Sequence, residues 1–153
     1  MINFKQFFNT YVKPGFEQDT NHFGEKTITH NSESNGRKIQ VDFTQNKPDI
    51  LHRDLKRRLY GKGHYQVDFS VNGDLKRDFR VGAQGKEGIA DGIHVKNALH
   101  KFIKTYKPKS LYYSANEPFK ARSYRNTAKT LIKQYGGEHH ELSPISHLMV
   151  FKK

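Results

Sequence analysis

The chain contains no cysteine, which excludes disulfides, thiolate metal sites and a cysteine nucleophile at the outset and fits a reducing compartment. Long apolar runs are missing as well. No window approaches the roughly 18 apolar residues of a membrane-spanning helix, and the N-terminus lacks the apolar core of a secretory signal. The expectation is a cytoplasmic protein without a membrane partner. Acidic residues are scarce, 15 Asp and Glu against 27 Lys and Arg, for a formal net charge of +12. An excess of that size attracts polyanions at long range, so nucleic acid, a phosphorylated cofactor or an acidic protein is an expected partner. Hydrophobic content is lean at 34%, yet eleven Phe and eight Tyr supply large buried areas per residue. With 153 residues the chain suffices for one compact domain and a single core.

What is present is a switch of apolar period between His64 and Gly137. HYQVDFSV places Tyr65, Val67, Phe69 and Val71 on one face of a strand, and RDFRVG adds Phe79 and Val81 on a second. The glycine-rich loop GAQGKEG follows. Val95, Ala98, Leu99, Phe102, Ile103 and Tyr106 recur at helical spacing from about Ile93, with Asp91 as the expected N-cap. SLYYSA reads as a buried strand, Tyr124, Ala128, Leu131, Ile132 and Tyr135 as a second helical stripe, and GGEHHEL and SHLMVFKK as closing pieces split at Ser143-Pro144. Upstream, RKIQVDF alternates as a strand, and DILHRDLKRRLY repeats Leu51, Leu55 and Leu59 as a helix ended by Gly61 and Gly63. Residues 1–12 carry a helical stripe closed by Pro14-Gly15. Phe16 to Gly36, rich in Asn, Thr, Ser and Glu, reads as mostly loop with one alternating piece, KTIT. The expected organisation is an N-terminal helix and irregular segment over 1–36, and over 37–153 an α/β unit of the α+β kind. Its mixed, mostly antiparallel sheet has helices on both faces and buries Phe69, Val81, Leu99, Phe102, Leu111 and Leu131.

The element order from Arg37 is similar to that of the GNAT superfamily of N-acetyltransferases. In that family a strand leads into an Arg/Gln-x-x-Gly-x-Gly/Ala loop whose amides hold the pyrophosphate of coenzyme A at a helix N-terminus. A later buried strand splays from its neighbour, and the next helix commonly opens with an Asn and carries a Tyr. Arg80-Val81-Gly82-Ala83-Gln84-Gly85 resembles that loop with Ala83 at the first glycine, and SANEPFKARSY resembles the Asn-to-Tyr segment. The same segment resembles acetyltransferase-like proteins of bacteriophages, and MINFKQFF resembles the amphipathic openings of some phage proteins. The resemblance implies an acetyl-coenzyme A-dependent N-acetyltransferase of unassigned amine acceptor, acting in a host cytoplasm if phage-encoded. It implies cofactor contacts from Arg80, Val81, Gly82, Gly85, Lys86, Gly88 and Asn116, and Tyr124 as the catalytic donor to the departing thiolate. An oxyanion donor is expected where parallel strands splay, near Phe79 to Val81 opposite Leu111 to Ser114. Asp68, Asp78 and Glu117 are equal candidates for a general base.

The basic residues cluster in DLKRRLYGKG, HKFIKTYKPK and KARSYR with Lys129 and Lys133. Lys56, Arg57, Arg58 and Lys62 are the candidate nucleic-acid contacts. An alternative function is thus a catalytically degenerate module on the same scaffold that binds nucleic acid, or a virion-associated protein. The nine histidines read as surface residues rather than a metal or catalytic set. His139 and His140 are adjacent and point to opposite faces of a strand, and His30, His52 and His147 are isolated.

Overall fold

A computed structural model describes residues 15–20, 25–34, 36–45, 59, 61–71, 86–114 and 121–152. Seven strands, β1 (Phe16–Thr20), β2 (Lys26–Ser34), β3 (Arg37–Gln45), β4 (His64–Val71), β5 (Ser110–Ser114), β6 (Gly137–Ser143) and β7 (Ser146–Phe151), form one sheet in the order β1-β2-β3-β4-β5-β7-β6. Two helices accompany them among the described residues, α1 (Lys86–Tyr106) and α2 (Ala121–Tyr135). Every pairing is antiparallel except β4 with β5. The fold is therefore mixed α/β with a mostly antiparallel sheet.

Period-two alternation decides the faces. In β3 the residues Ile39, Val41 and Phe43 are buried while Gln40, Asp42 and Thr44 turn to the other face, and the ladder sets Val41 opposite Phe69 and Phe43 opposite Val67 of β4. Both helices close over this apolar face. Phe102 of α1 stacks on Phe43 at 3.8 Å and meets Tyr65 edge-on at 5.1 Å, and Ala128 and Leu131 of α2 join the same core with Leu111, Tyr113 and Met149. The helices also touch each other, His100 Nδ1 lying 3.0 Å from the Tyr135 hydroxyl. Burying one Phe of this kind contributes about 1.5–3 kcal/mol.

Several expectations change. β1 and β2 replace the expected irregular segment between Phe16 and Gly36, and both lie in the same sheet as β3. Only Phe16 and Ile28 of these two strands are buried apolar side chains, so the signal of a strand with one buried face is almost absent. The helix expected near Ile93 begins at Lys86, which places Asp91 inside α1 rather than at its N-cap. Of the six side chains expected in the core, Leu99, Phe102, Leu111 and Leu131 are buried and Phe69 is half-buried. Val81 lies outside the described residues, as do the helix expected over 1–12, the strand over 77–82 and, except for Leu59, the helix over 49–60. The two described helices share one face. No described helix is long and apolar enough to cross a membrane.

Candidate functional site

The parallel strands β4 and β5 are clamped at one end and parted at the other. At the closed end the Gly63 carbonyl accepts the amides of Lys109 (2.6 Å) and Ser110 (3.1 Å), His64 Nδ1 lies 2.6 Å from Ser110 Oγ, and the Phe151 amide donates to the Lys109 carbonyl at 2.9 Å. Gly63 adopts φ +93°, a conformation that side-chain-bearing residues resist. Register pairs follow from His64 with Ser110 to Gln66 with Tyr112 and then stop. β4 runs on to Val71 beside β3, while Tyr113 and Ser114 stay paired with β7. Beyond Gln66 and Tyr112 the two strands share no register pair, and an oxyanion is stabilised by backbone donors where such strands part. The expectation placed this parting between Phe79 to Val81 and Leu111 to Ser114. The strand parallel to β5 is instead His64–Val71, because its apolar set continues that of β3 across the ladder.

Tyr124, in the first turn of α2, bridges the two lips. Its ring lies 6.2 Å from Phe69 on β4 and 5.6 Å from Tyr113 on β5, and its backbone carbonyl accepts a 2.5 Å hydrogen bond from the Tyr113 hydroxyl. Burial, reinforced by the neighbouring Tyr124 phenol, holds the Tyr113 phenol far above the usual tyrosine range. Tyr113 therefore stays protonated and serves as a fixed donor that sets the start of α2.

On the opposite sheet face, Asp68 sits in the parted stretch of β4, directly across the ladder from Asp42. Asp42 is well supplied with donors: Thr29 Oγ1 donates at 2.7 Å, and Gln40 Nε2 reaches both carboxylate oxygens at 3.0 and 3.1 Å. Asp68 is not so favoured. Burial raises its pKa above the ordinary carboxylate value, the Asp42 charge adds to the rise, and a hydrogen bond from Gln66 opposes it. A carboxylate in that position is a stronger proton acceptor than an exposed one.

Beyond Tyr113 the same sheet face carries a histidine pair. His147 of β7 is 0% exposed and pairs with Tyr113 in the ladder, their rings 5.6 Å apart. Its Nδ1 lies 2.9 Å from Nε2 of His139 on β6, the rings stacked at 5.1 Å, and its own Nε2 is buried without a hydrogen-bond partner. One ring donates and the other accepts, so this contact requires at least one neutral imidazole. Burial lowers both pKa values, His139 lowering that of His147 further, and Glu141 partly restores each. Glu141 itself accepts from Arg125 Nε at 2.9 Å and Nη2 at 2.5 Å, and that bond pulls its pKa down.

The reading of the histidines as surface residues thus fails at His147. Its place between Ser146 and Leu148, two before Met149, gave the only available sign, since Met149 shares its face.

Of the residues named from sequence, Tyr124 stands at the gap, and Lys86 and Gly88 lie in the first turn of α1. Arg80, Val81, Gly82, Gly85 and Asn116 lie outside the described residues, together with Lys56, Arg57 and Arg58, and so do Asp78 and Glu117. Lys62 is exposed in the turn before β4. Among the described residues no cluster of three or more His, Asp or Glu is arranged to hold a metal ion. No protein-family model, curated protein or solved structure matches the chain.

Proposed function

We propose that the parted β4–β5 pair is the active site of an acetyl-coenzyme A-dependent N-acetyltransferase of the GNAT kind. The observation that carries this reading is the one parallel pair among the described strands, opening after Gln66 and spanned by Tyr124. The start of α1 adds support. It opens at Lys86, directly after Gly85, so the amides of its first turn lack partners within the helix and adjoin the Arg80–Gly85 pattern. Lys86 and Gly88 would hold the pyrophosphate, together with Arg80, Val81, Gly82, Gly85 and Asn116, which lie outside the described residues. When bound, acetyl-coenzyme A supplies an acyl group activated as a thioester.

The residues of the chain divide the remaining work. Backbone donors where β4 parts from β5 beyond Gln66 would stabilise negative charge on the reacting carbonyl. Tyr124 would donate a proton or a hydrogen bond from its phenol toward the sulfur. Asp68 takes the proton of the attacking amine, its raised pKa matching that role. Tyr113 holds the first turn of α2 and thereby Tyr124, a positioning role.

Thermal shift and calorimetry with acetyl-coenzyme A test the reading. Binding to the native state alone raises the melting temperature by mass action. Tyr124→Phe and Asp68→Asn should both keep cofactor affinity while slowing transfer to an amine, since each acts on the reaction rather than on ground-state binding. Absence of binding at millimolar acetyl-coenzyme A removes the enzyme reading.

A further inference from the structure

Over most of both helices the charge is of one sign. Between Gly92 and Ser114, and again between Arg122 and Gly137, there is no Asp or Glu, whereas these stretches carry Lys96, Lys101, Lys104, Lys107, Lys109, Arg122, Arg125, Lys129 and Lys133. Glu87 and Asp91 lie in the first turns of α1, ahead of these stretches, and the other acidic residues of the described part sit on or beside strands: Glu17, Asp19, Glu25, Glu33, Asp42, Asp68, Glu138 and Glu141. Because α1 and α2 lie side by side on one sheet face, their outward sides form a common layer. Lys101, Lys104 and Lys107 are exposed along and just after α1. On α2 the exposed residues Arg122, Asn126, Lys129 and Lys133 follow one another at helical spacing as a single stripe. That stripe covers about 16 Å at the ~1.5 Å rise of a helix, close to five nucleotide steps at ~3.4 Å per strand. Ser123 and Gln134, also exposed, supply uncharged donors around it, whereas the Thr130 hydroxyl donates to the Asn126 carbonyl at 2.8 Å. Arg125 is excluded from the set, since Glu141 already engages it.

We infer that the outer face of the α1–α2 layer is a nucleic-acid-binding surface that reads the phosphate backbone without base specificity. Phosphate binding needs cations and hydrogen-bond donors and no apolar anchor. A protein partner or a lipid surface would call for exposed aromatic or aliphatic anchors. Among the described residues the one large exposed hydrophobic side chain is Ile93, at 53%. The layer is distinct from the β4–β5 gap and does not depend on acetyl transfer. It also differs from the Lys56–Lys62 cluster that the sequence suggested.

The test is fluorescence anisotropy of the full-length chain with a labelled 20-base single strand and a 20-base-pair duplex of mixed sequence. Six phosphate contacts, from Lys101, Lys104, Lys107, Arg122, Lys129 and Lys133, predict an affinity loss of about a thousandfold between 50 and 200 mM salt. The double variant Lys129→Glu/Lys133→Glu should weaken binding more than tenfold on all sequences alike and flatten the salt dependence. The control Lys26→Glu/Lys38→Glu makes the same change in net charge on strands β2 and β3 and should leave affinity within threefold, circular dichroism confirming that both variants fold. Equal loss in the two variants would reduce the effect to net charge and overturn the proposal. So would the absence of binding at 50 mM salt, or binding to polyglutamate or phosphatidylserine vesicles without binding to either nucleic acid.

Discussion

On the β1–β4 side of the parallel junction, α1 closes over a nearly continuous hydrocarbon surface: Ile28, Ile39, Val41, Phe43, Tyr65 and Val67 against Ala98, Leu99, Phe102 and Ile103. On the β5–β7 side, α2 closes with Ala128 and Leu131 over Leu111 and Met149, and over Tyr113, His147 and His139 as well. One half therefore owes its stability mainly to apolar area and shape. The other includes groups whose burial is acceptable only while they remain neutral and paired. The same sheet supports both because its period-two alternation carries one face unbroken across the junction, and the chemistry of a strand can change without changing its register.

The largest expected effect is in the hydrocarbon half. Phe102→Ala removes the ring stacked on Phe43 and touching Phe16, Tyr65 and Tyr106, and should cost about 3–5 kcal/mol in chemical denaturation. A loss below 1 kcal/mol would mean that α1 does not carry this half. Next comes the clamp between the halves. Gly63→Ala places a Cβ at positive φ, 2.9 Å from Lys109 Cγ, and should cost about 1–3 kcal/mol while altering amide exchange at Lys109 and Ser110 before that at Ile39 or Val41. In the polar half, Tyr113→Phe removes the hydroxyl's hydrogen bond to the Tyr124 carbonyl and should cost about 1 kcal/mol, with a larger effect on any transfer activity than on stability.

The smallest effect at neutral pH is also the most diagnostic. His139 and His147 have folded-state pKa values below the ordinary value of 6.5, so between those values the unfolded chain binds more protons than the native one. Stability is fully present above about pH 6.5 and is lost as pH falls through the lowered values. His30 and His100, also lowered, contribute in the same direction. Melting temperatures from pH 7.5 to 5 should fall, and His147→Phe should reduce that slope. An unchanged slope would place the acid sensitivity elsewhere.

The sequence made the hydrocarbon half easier to read than the polar one. Ile39, Val41 and Phe43, or Leu99, Phe102 and Ile103, announce a face because every inward position is apolar. β1 and β2 hid because their buried apolar residues are few and their partners lie in another strand. The first turns of α1 hid because Gly88 and Gly92 weaken helical propensity and Glu87 and Asp91 interrupt the apolar stripe. His147 reads as an isolated polar residue until the ladder places Tyr113 beside it and the hydrogen bond adds His139. The gap was expected from the resemblance, but the strand that forms it was not. Alternation identifies strands without saying which of two pairs with a third.

Seen as a folding problem, the clamp at Gly63 acquires another meaning. The antiparallel pairs β1–β2, β2–β3, β3–β4 and β6–β7 each join strands consecutive in the chain, whereas β4 meets β5 only after the whole of α1 has crossed over and β5 meets β7 only after α2 and β6. Loop-closure entropy therefore falls on two seams, and the β4–β5 one rests on only three register pairs. A molecule that contacts both lips would join the two halves across this seam, slowing their separation. Its presence should appear as a lower unfolding rate with little change in the folding rate, as expected when a contact forms after the rate-limiting step.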